Sequence, residues 1–320
     1  MRPSRFVIAT RSAVTAAVVA AALTTATAAA PVHAQSRDEP PRLDSAQLMR
    51  DLYALTADSM EGRRIGTPGG ARARAYLETR LRAAGITPLR DSFAAPFTSS
   101  GRGGDVTGTN LVGVVRGTKA PDQYIVLSAH YDHLGVRNGT VYPGADDNAS
   151  GTCAVLAIAA WLKAHPPGHS VIIALFDGEE GGLRGSRAFV ADPPVALDKV
   201  LANVNLDMVG RNAQGELYAA GATPWPRMRP LIEATAKASG VTLRMGHDSG
   251  GGHEDWTNQS DQGAFDAKKI PWVYFGVEDH PDYHKPTDFP NRIEPGFFYR
   301  SASTVADFVR RFDAAPPAPR

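Results

Sequence analysis

Apolar residues recur along this chain with two periods, and their alternation sets out its organisation. Helical spacing runs over 45–57 and again over 70–84, where Gly85 stops it. The segment between them, SMEGRRIGTPGG, is rich in turn formers. Short apolar runs at 110–115 and 124–129 read as strands, followed by a helix over 150–164, a strand over 171–176 and a short helix over 186–191. Strands at 200–206 and 216–220, a helix over 227–239, a strand at 271–277 and a helix over 295–312 complete the pattern. Several strands are apolar throughout rather than alternating, as strands are when helices cover both faces of their sheet. The order predicts one α/β domain over 45–313, with a mostly parallel mixed central sheet and helices on both faces.

The ends differ from this pattern. Residues 1–34 hold Arg2, Arg5 and Arg11, no acidic residue, an Ala/Val-rich run, and Val32-His33-Ala34 at its close. That layout predicts a signal peptide cut near Ala34-Gln35, because the apolar core is nearer a dozen residues than the ~20 that span a bilayer. The expectation is a periplasmic or secreted protein with no stable membrane association after cleavage. A polar lead, 35–44, precedes the domain, and the Pro/Ala tail 314–320 reads as disordered.

Removing the signal takes three of 34 basic residues and none of the 33 acidic ones, leaving a formal charge of −2. A near-neutral surface argues against nucleic acid or anionic membrane as partner. Cys153 is the only cysteine, so no intrachain disulfide can form despite the oxidising compartment that export implies.

The chemistry collects just past the predicted strand ends, where open α/β sheets gather functional groups. His130, Asp132 and His133 follow 124–129; Asp177, Glu179 and Glu180 follow 171–176; Asp207 follows 200–206. GADDNASG sets Asp146 and Asp147 before a helix, and Glu278, Asp279, His280, Asp282 and His284 follow 271–277. Carboxylates and imidazoles converging on one rim repel one another without a counter-charge. Two divalent cations resolve this, and imidazole plus carboxylate donors without thiolate suit Zn(II), with Co(II) or Mn(II) as substitutes. Two such ions against three ligating carboxylates favour a bound hydroxide, the nucleophile of metal-assisted hydrolysis.

The ordered set HYD, GADDNASG, DGEEGG, NLDMVG and YHKPTD resembles the exported di-zinc aminopeptidases of peptidase family M28, from about Asp58 to about Ile293. Each motif alone is weak, and five in order are specific. The resemblance implies that His130 and Asp207 hold one zinc, that Glu180 and His284 hold the other, and that Asp147 bridges them. It also implies a cis peptide after Asp147. Glu179 resembles the general base, Asp132 the residue that orients His130 through its other ring nitrogen, and Tyr283 a donor to the oxyanion. Peptides cleaved at a free amino terminus are the implied substrate.

Beside this stand plainer readings. His133, Asp146, Asp177 and His280 read as loop or supporting residues, and His165 and His169 as exposed. The family's Ser-Asp-His before a buried Phe is SDQGAF here, with Gln262 in the His place. The loop before it, GHDSGGGHEDWTNQ, reads either as flexible surface or as a rim selecting the substrate side chain. A carboxypeptidase or dipeptidase on the same metal core, with Arg184 or Arg211 reading the terminal carboxylate, stays open. So do a single-zinc glutaminyl-cyclase-like acyltransferase and an inactive binding scaffold. The residues do not decide oligomeric state.

Overall fold

Strand β7, His169–Phe176, explains why its sequence lacks alternation: Val171, Ile173 and Leu175 face one buried cluster, and Ile172, Ala174 and Phe176 another. The computed structural model describes residues 39–101, 104–250 and 254–316, with Met1, Pro3 and Ser4 besides. The expected signal peptide and its cleavage point therefore lie outside the described residues, apart from those three. The final 317–320 of the expected tail lie outside them too. No helix among the described residues is long and apolar enough to cross a membrane.

The remaining strands are β1 (Thr87–Pro88), β2 (Ala94–Gly101), β3 (Gly104–Val115), β4 (Ala120–His130), β5 (Gly135–Arg137), β6 (Thr140–Tyr142), β8 (Val200–Asp207), β9 (Glu216–Ala220), β10 (Thr242–Met245) and β11 (Trp272–Gly276). The helices are α1 (Ser45–Leu55), α2 (Pro68–Ala83), α3 (Gly151–Ala164), α4 (Arg184–Ala191), α5 (Arg229–Ala238), α6 (Gln262–Ala267) and α7 (Pro295–Ala314). The main sheet runs β1-β3-β7-β4-β8-β11-β9-β10, with β2 on β3 and β5-β6 as a separate hairpin. Its centre, β7-β4-β8-β11, is parallel throughout, while β3 and β9 join it antiparallel. This is the mixed, mostly parallel α/β sheet expected.

Helices cover both faces. α3 packs on β4 and β8 and carries α1 and α7 behind it, while α4 and α6 lie together on the other side. Cys153, on the inner side of α3, is buried and unpaired. Strands β2 and β10 escape the sequence reading for a physical reason. β2 has Phe97 as its one large apolar residue and buries none of 94–100, and half of β10 is exposed at the sheet edge, so neither leaves a run of apolar residues.

Because the four central strands are parallel, their carboxyl ends share one rim. His130 ends β4, Asp207 ends β8, and the turns after β7 and β11 rise from the same edge.

Candidate metal centre

Strand register brings the first two groups together. Ser128 on β4 pairs with Asn205 on β8, and their side chains hydrogen-bond at 2.7 Å. Two residues further on, period-2 geometry returns the chain to the same face, and His130 Nε2 meets Asp207 Oδ2 at 3.3 Å. His130 Nδ1 lies 3.1 Å from the Asp132 carbonyl oxygen, which fixes the ring from behind. The expected contact to the Asp132 carboxylate is present at ion-pair range, and that carboxylate has a second partner. That carboxylate stands 3.7 Å from Nδ1, and its Oδ1 accepts the Glu179 backbone N–H at 3.0 Å. The chain turns so tightly after β4 that the carbonyl returns beneath the ring and the side chain points on to the next turn.

Asp147 is held by its backbone. The N–H groups of Asp146 and Asp147 donate to Asp288, and Asn148 Nδ2 donates to the Leu206 carbonyl at 2.9 Å. The Asp147–Asn148 peptide is cis, as the resemblance implies. Held this way, the carboxylate turns its oxygens apart. Oδ1 lies 3.6 Å from His130 Nε2, and Oδ2 lies 3.1 Å from His284 Nε2.

Glu180 completes the second group, with Oε2 at 3.2 Å from His284 Nε2. His133, read from sequence as a supporting loop residue, is buried in this group, with Nδ1 2.6 Å from Glu180 Oε1. Its spacing from His130 matches no ligand position in the resemblance, so only the three-dimensional turn reveals it. His280 stays outside, 3.2 Å from Asp146 Oδ2. Asp177 accepts the Thr109 N–H, His169 pairs with Asp313, and His165 stacks on Trp161.

The electrostatics separate the two glutamates. Burial pushes the Glu179 carboxyl well above its usual range, with only partial relief from His130. Burial acts on Glu180 the same way, but the His133 and His284 imidazoles beside it outweigh it and hold that carboxyl below its usual range. His284 is itself raised to about 10, its partial burial overcome by the Asp147 and Glu180 carboxylates beside it.

The donor set fits divalent metal. A tetrahedron with arms of about 2.0–2.2 Å has edges of about 3.3–3.6 Å, close to the 3.1–3.6 Å separations among His130, Asp147, Asp207, Glu180 and His284, while His133 Nδ1 lies 3.7 Å from Asp147 Oδ2 and nearer Glu180 Oε1, at 2.6 Å. His130, Asp147 and Asp207 form one candidate group, and His133, Asp147 and Glu180 another. Buried Asp147 Oδ2, Glu180 Oε1 and Asp207 Oδ1 have no hydrogen-bond partner among the described residues. Buried polar atoms left bare this way are costly unless a cation meets them.

The groups open onto a cleft of about 320 Å³. Tyr283, stacked on His284 with ring centroids 3.9 Å apart, lines it, as do Glu179, Trp256 and Tyr274. Gln262, in the expected His place, accepts from Asn205 Nδ2 at 3.0 Å and donates to the Trp256 carbonyl at 2.6 Å. Of the arginines considered for a substrate carboxylate, Arg211 pairs with Asp282 at 2.7 Å and Arg184 Nε donates to the Gly181 carbonyl at 3.1 Å. Neither lines the cleft. Arg187, passed over in the sequence, does line it and makes no ion pair among the described residues.

The pattern of peptidase family M28 matches residues 110–309, more than half of the chain. The chain belongs to peptidase family M28. It is 28% identical over 238 residues to a probable zinc metalloprotease of Pyrenophora teres f. teres, covering 66% of this chain and 50% of that protein. It is 32% identical over 202 residues to a probable glutamate carboxypeptidase VP8 of Zea mays, covering 58% of this chain and 27% of the relative. Aminopeptidase YwaD of Bacillus subtilis is 36% identical over 117 residues, covering 35% and 24%. This M28 chain thus spans half or less of the length of these relatives. Its fold is that of BSAP, a zinc aminopeptidase from Bacillus subtilis, at TM-score 0.69 and 18% identity over 86% of this chain and 96% of that one. It is equally that of a glutaminyl cyclase from Porphyromonas gingivalis, at TM-score 0.70 and 20% identity over 83% and 98%.

Proposed function

We propose that this M28 metallopeptidase is an exported di-zinc aminopeptidase that releases the first residue of peptides. The observation that carries the reading is the divided Asp147 carboxylate, with one oxygen toward His130 and the other toward His284. His130 and Asp207 would hold one zinc, Glu180 and His284 the other, and Asp147 both. Zinc bound there supplies Lewis acidity and makes water acidic enough to act as a nucleophile near neutral pH.

The chain's own residues do the rest. Glu179, on the cleft wall, accepts the proton of the attacking water and returns it to the leaving amine. The Asp132 carboxylate holds the Glu179 backbone in place for that transfer. The Tyr283 hydroxyl donates to the oxyanion that develops on the scissile carbonyl. Glu179 and Asp207 face the cleft as acceptors for a free α-amine. The likeness to the Bacillus subtilis aminopeptidases favours the same end of the peptide.

Arg187 favours a second reading, a carboxypeptidase in which this cation binds the terminal carboxylate. The two separate with one short peptide in three forms, free, N-acetylated and C-amidated, and mass spectrometry of the released residues. An aminopeptidase loses the acetylated peptide and still cleaves the amidated one; the opposite result makes it a carboxypeptidase. A chelator should abolish activity and Zn(II) or Co(II) restore it, with two metals per chain; one tight metal at saturation favours the cyclase. Export is tested by sequencing the amino terminus of the protein recovered outside the cytoplasm, where Gln35 should come first.

A further inference from the structure

The second metal group holds one more donor than the proposed ligand set uses. His133 lies fully buried in the turn after β4, and neither ring nitrogen finds a hydrogen-bond partner among the described residues. Its Nδ1 stands 2.6 Å from Glu180 Oε1 and 3.7 Å from Asp147 Oδ2. Glu180 Oε1 and Asp147 Oδ2 are themselves bare of hydrogen bonds. The 3.7 Å to Asp147 suits two ligands of one ion, whose spacing is about 3.3–3.6 Å, and a metal seated among these bare atoms would part His133 from Glu180 to the same spacing.

The ring cannot swing away. Gly144, at φ +56°, packs its backbone against the imidazole, and a Cβ there would fall 2.4 Å from His133 Cδ2. The same Cβ would fall 2.2 Å from the Asp147 carbonyl oxygen, so the turn's own backbone also demands glycine here, and the imidazole rests against that fixed backbone with both nitrogens unpaired.

We infer that His133, through Nδ1, is a ligand of the second metal, joining Asp147, Glu180 and His284. This rests on the two-metal reading above and deepens it, because the two sites then differ in kind. Four protein donors close the second site, as in metal sites that serve structure, whereas His130, Asp147 and Asp207 leave an open position at the first. The second metal becomes the retained one, and the reactive position belongs to the first.

The competing role is outer: an Nδ1–H that donates to Glu180 and merely positions it. NMR of the full chain with ¹⁵N-labelled histidine and loaded with ¹¹³Cd separates the two in the wild-type protein. Ligation predicts cadmium coupling to His130 and His284 through Nε2 and to His133 through Nδ1. A His133 ring that shows no coupling and keeps a proton on Nδ1 overturns the inference. His133→Asn is the companion variant, since an amide can replace the donor but is a poor metal ligand. Affinity for the second metal should then fall more than the 10–100-fold typical of losing an outer partner, with the first site unchanged; wild-type affinity in that variant means positioning alone. Failure of the two-metal reading looks different, as a chain that saturates with one cadmium and has His130 uncoupled, while His133 coupling is still read at the remaining site.

Discussion

The carboxylate of Asp132 serves Glu179 as well as His130: Oδ1 accepts the Glu179 amide at 3.0 Å and pairs with the imidazole at 3.7 Å. Asp132, two residues past His130, therefore braces the turn bearing the proposed base. Asp132→Asn can still present an oxygen to that amide, and Asp132→Ala cannot. The alanine variant should lose kcat by roughly 10–100-fold, the scale of outer-shell losses, with metal content held near two per chain. The asparagine variant should recover most of it. If the alanine variant loses metal in proportion to rate, Asp132 acts chiefly through His130.

The neighbouring glutamates should respond differently to the same change. Glu179→Gln keeps the shape and removes the base, so both metals should stay while kcat falls roughly 10²–10⁴-fold. Glu180→Gln should weaken one metal instead. Elemental analysis of the two proteins, set beside their rates, decides the assignment, and the reverse pattern exchanges the roles.

Arg63 ties the site to the amino-terminal segment. Its buried guanidinium donates to the carbonyls of Leu55, Tyr131, Pro143 and Gly144, at 2.6–2.9 Å. Tyr131 adjoins His130, and Gly144 begins the turn to Asp147. An ammonium group cannot span four carbonyls, and a hydrogen bond to a charged group contributes about 1.5–3 kcal/mol. Arg63→Lys should therefore lower stability by about 3–5 kcal/mol, seen as a lower urea midpoint, and should loosen both metals. An unchanged midpoint would show those carbonyls satisfied by water.

Asp261 gives a stability effect that depends on pH. Its carboxyl is buried with both oxygens bare, and burial raises it to about 7 in the metal-free chain, although His130 pulls the other way. The ordinary value is about 3.9, so between about pH 4 and 7 the folded state keeps a proton that the unfolded chain has lost. Stability must then fall as pH rises through that window, by about 1.4 kcal/mol per unit of separation. Asp261→Asn removes the effect. In chelator, its gain over wild type should grow from pH 4 to 7 and level off above; a gain independent of pH would mean the buried carboxyl is already ionised.

Much of this was legible in the sequence because the central strands are covered on both sides. Runs such as VIIALF signal burial without structural help, and the polar residues after them fall on the rim once the strands are parallel. The sequence order does not disclose direction. His133 and Asp132 each lie within three residues of His130, yet one turns into the metal group and the other toward Glu179, since a turn's path depends on what grips it. Arg63 was inside a noted motif, but its four carbonyl partners lie 8 to 81 residues away in sequence. Arg187 shows itself only when the cleft is closed around it.

Gln262 takes the place where a histidine was expected, and its partners extend what that substitution touches. From Ser128, hydrogen bonds pass to Asn205, on to Gln262 and out to the Trp256 carbonyl, so the aromatic wall of the cleft hangs from the middle of the sheet. Gln262 stays with the scaffold when the loop over 246–259 is exchanged, so a grafted loop keeps the tether only where its own backbone presents a carbonyl at the Trp256 position. Transplanting side-chain preference into this scaffold thus requires a loop whose backbone path meets Gln262, which the sheet already holds through Asn205.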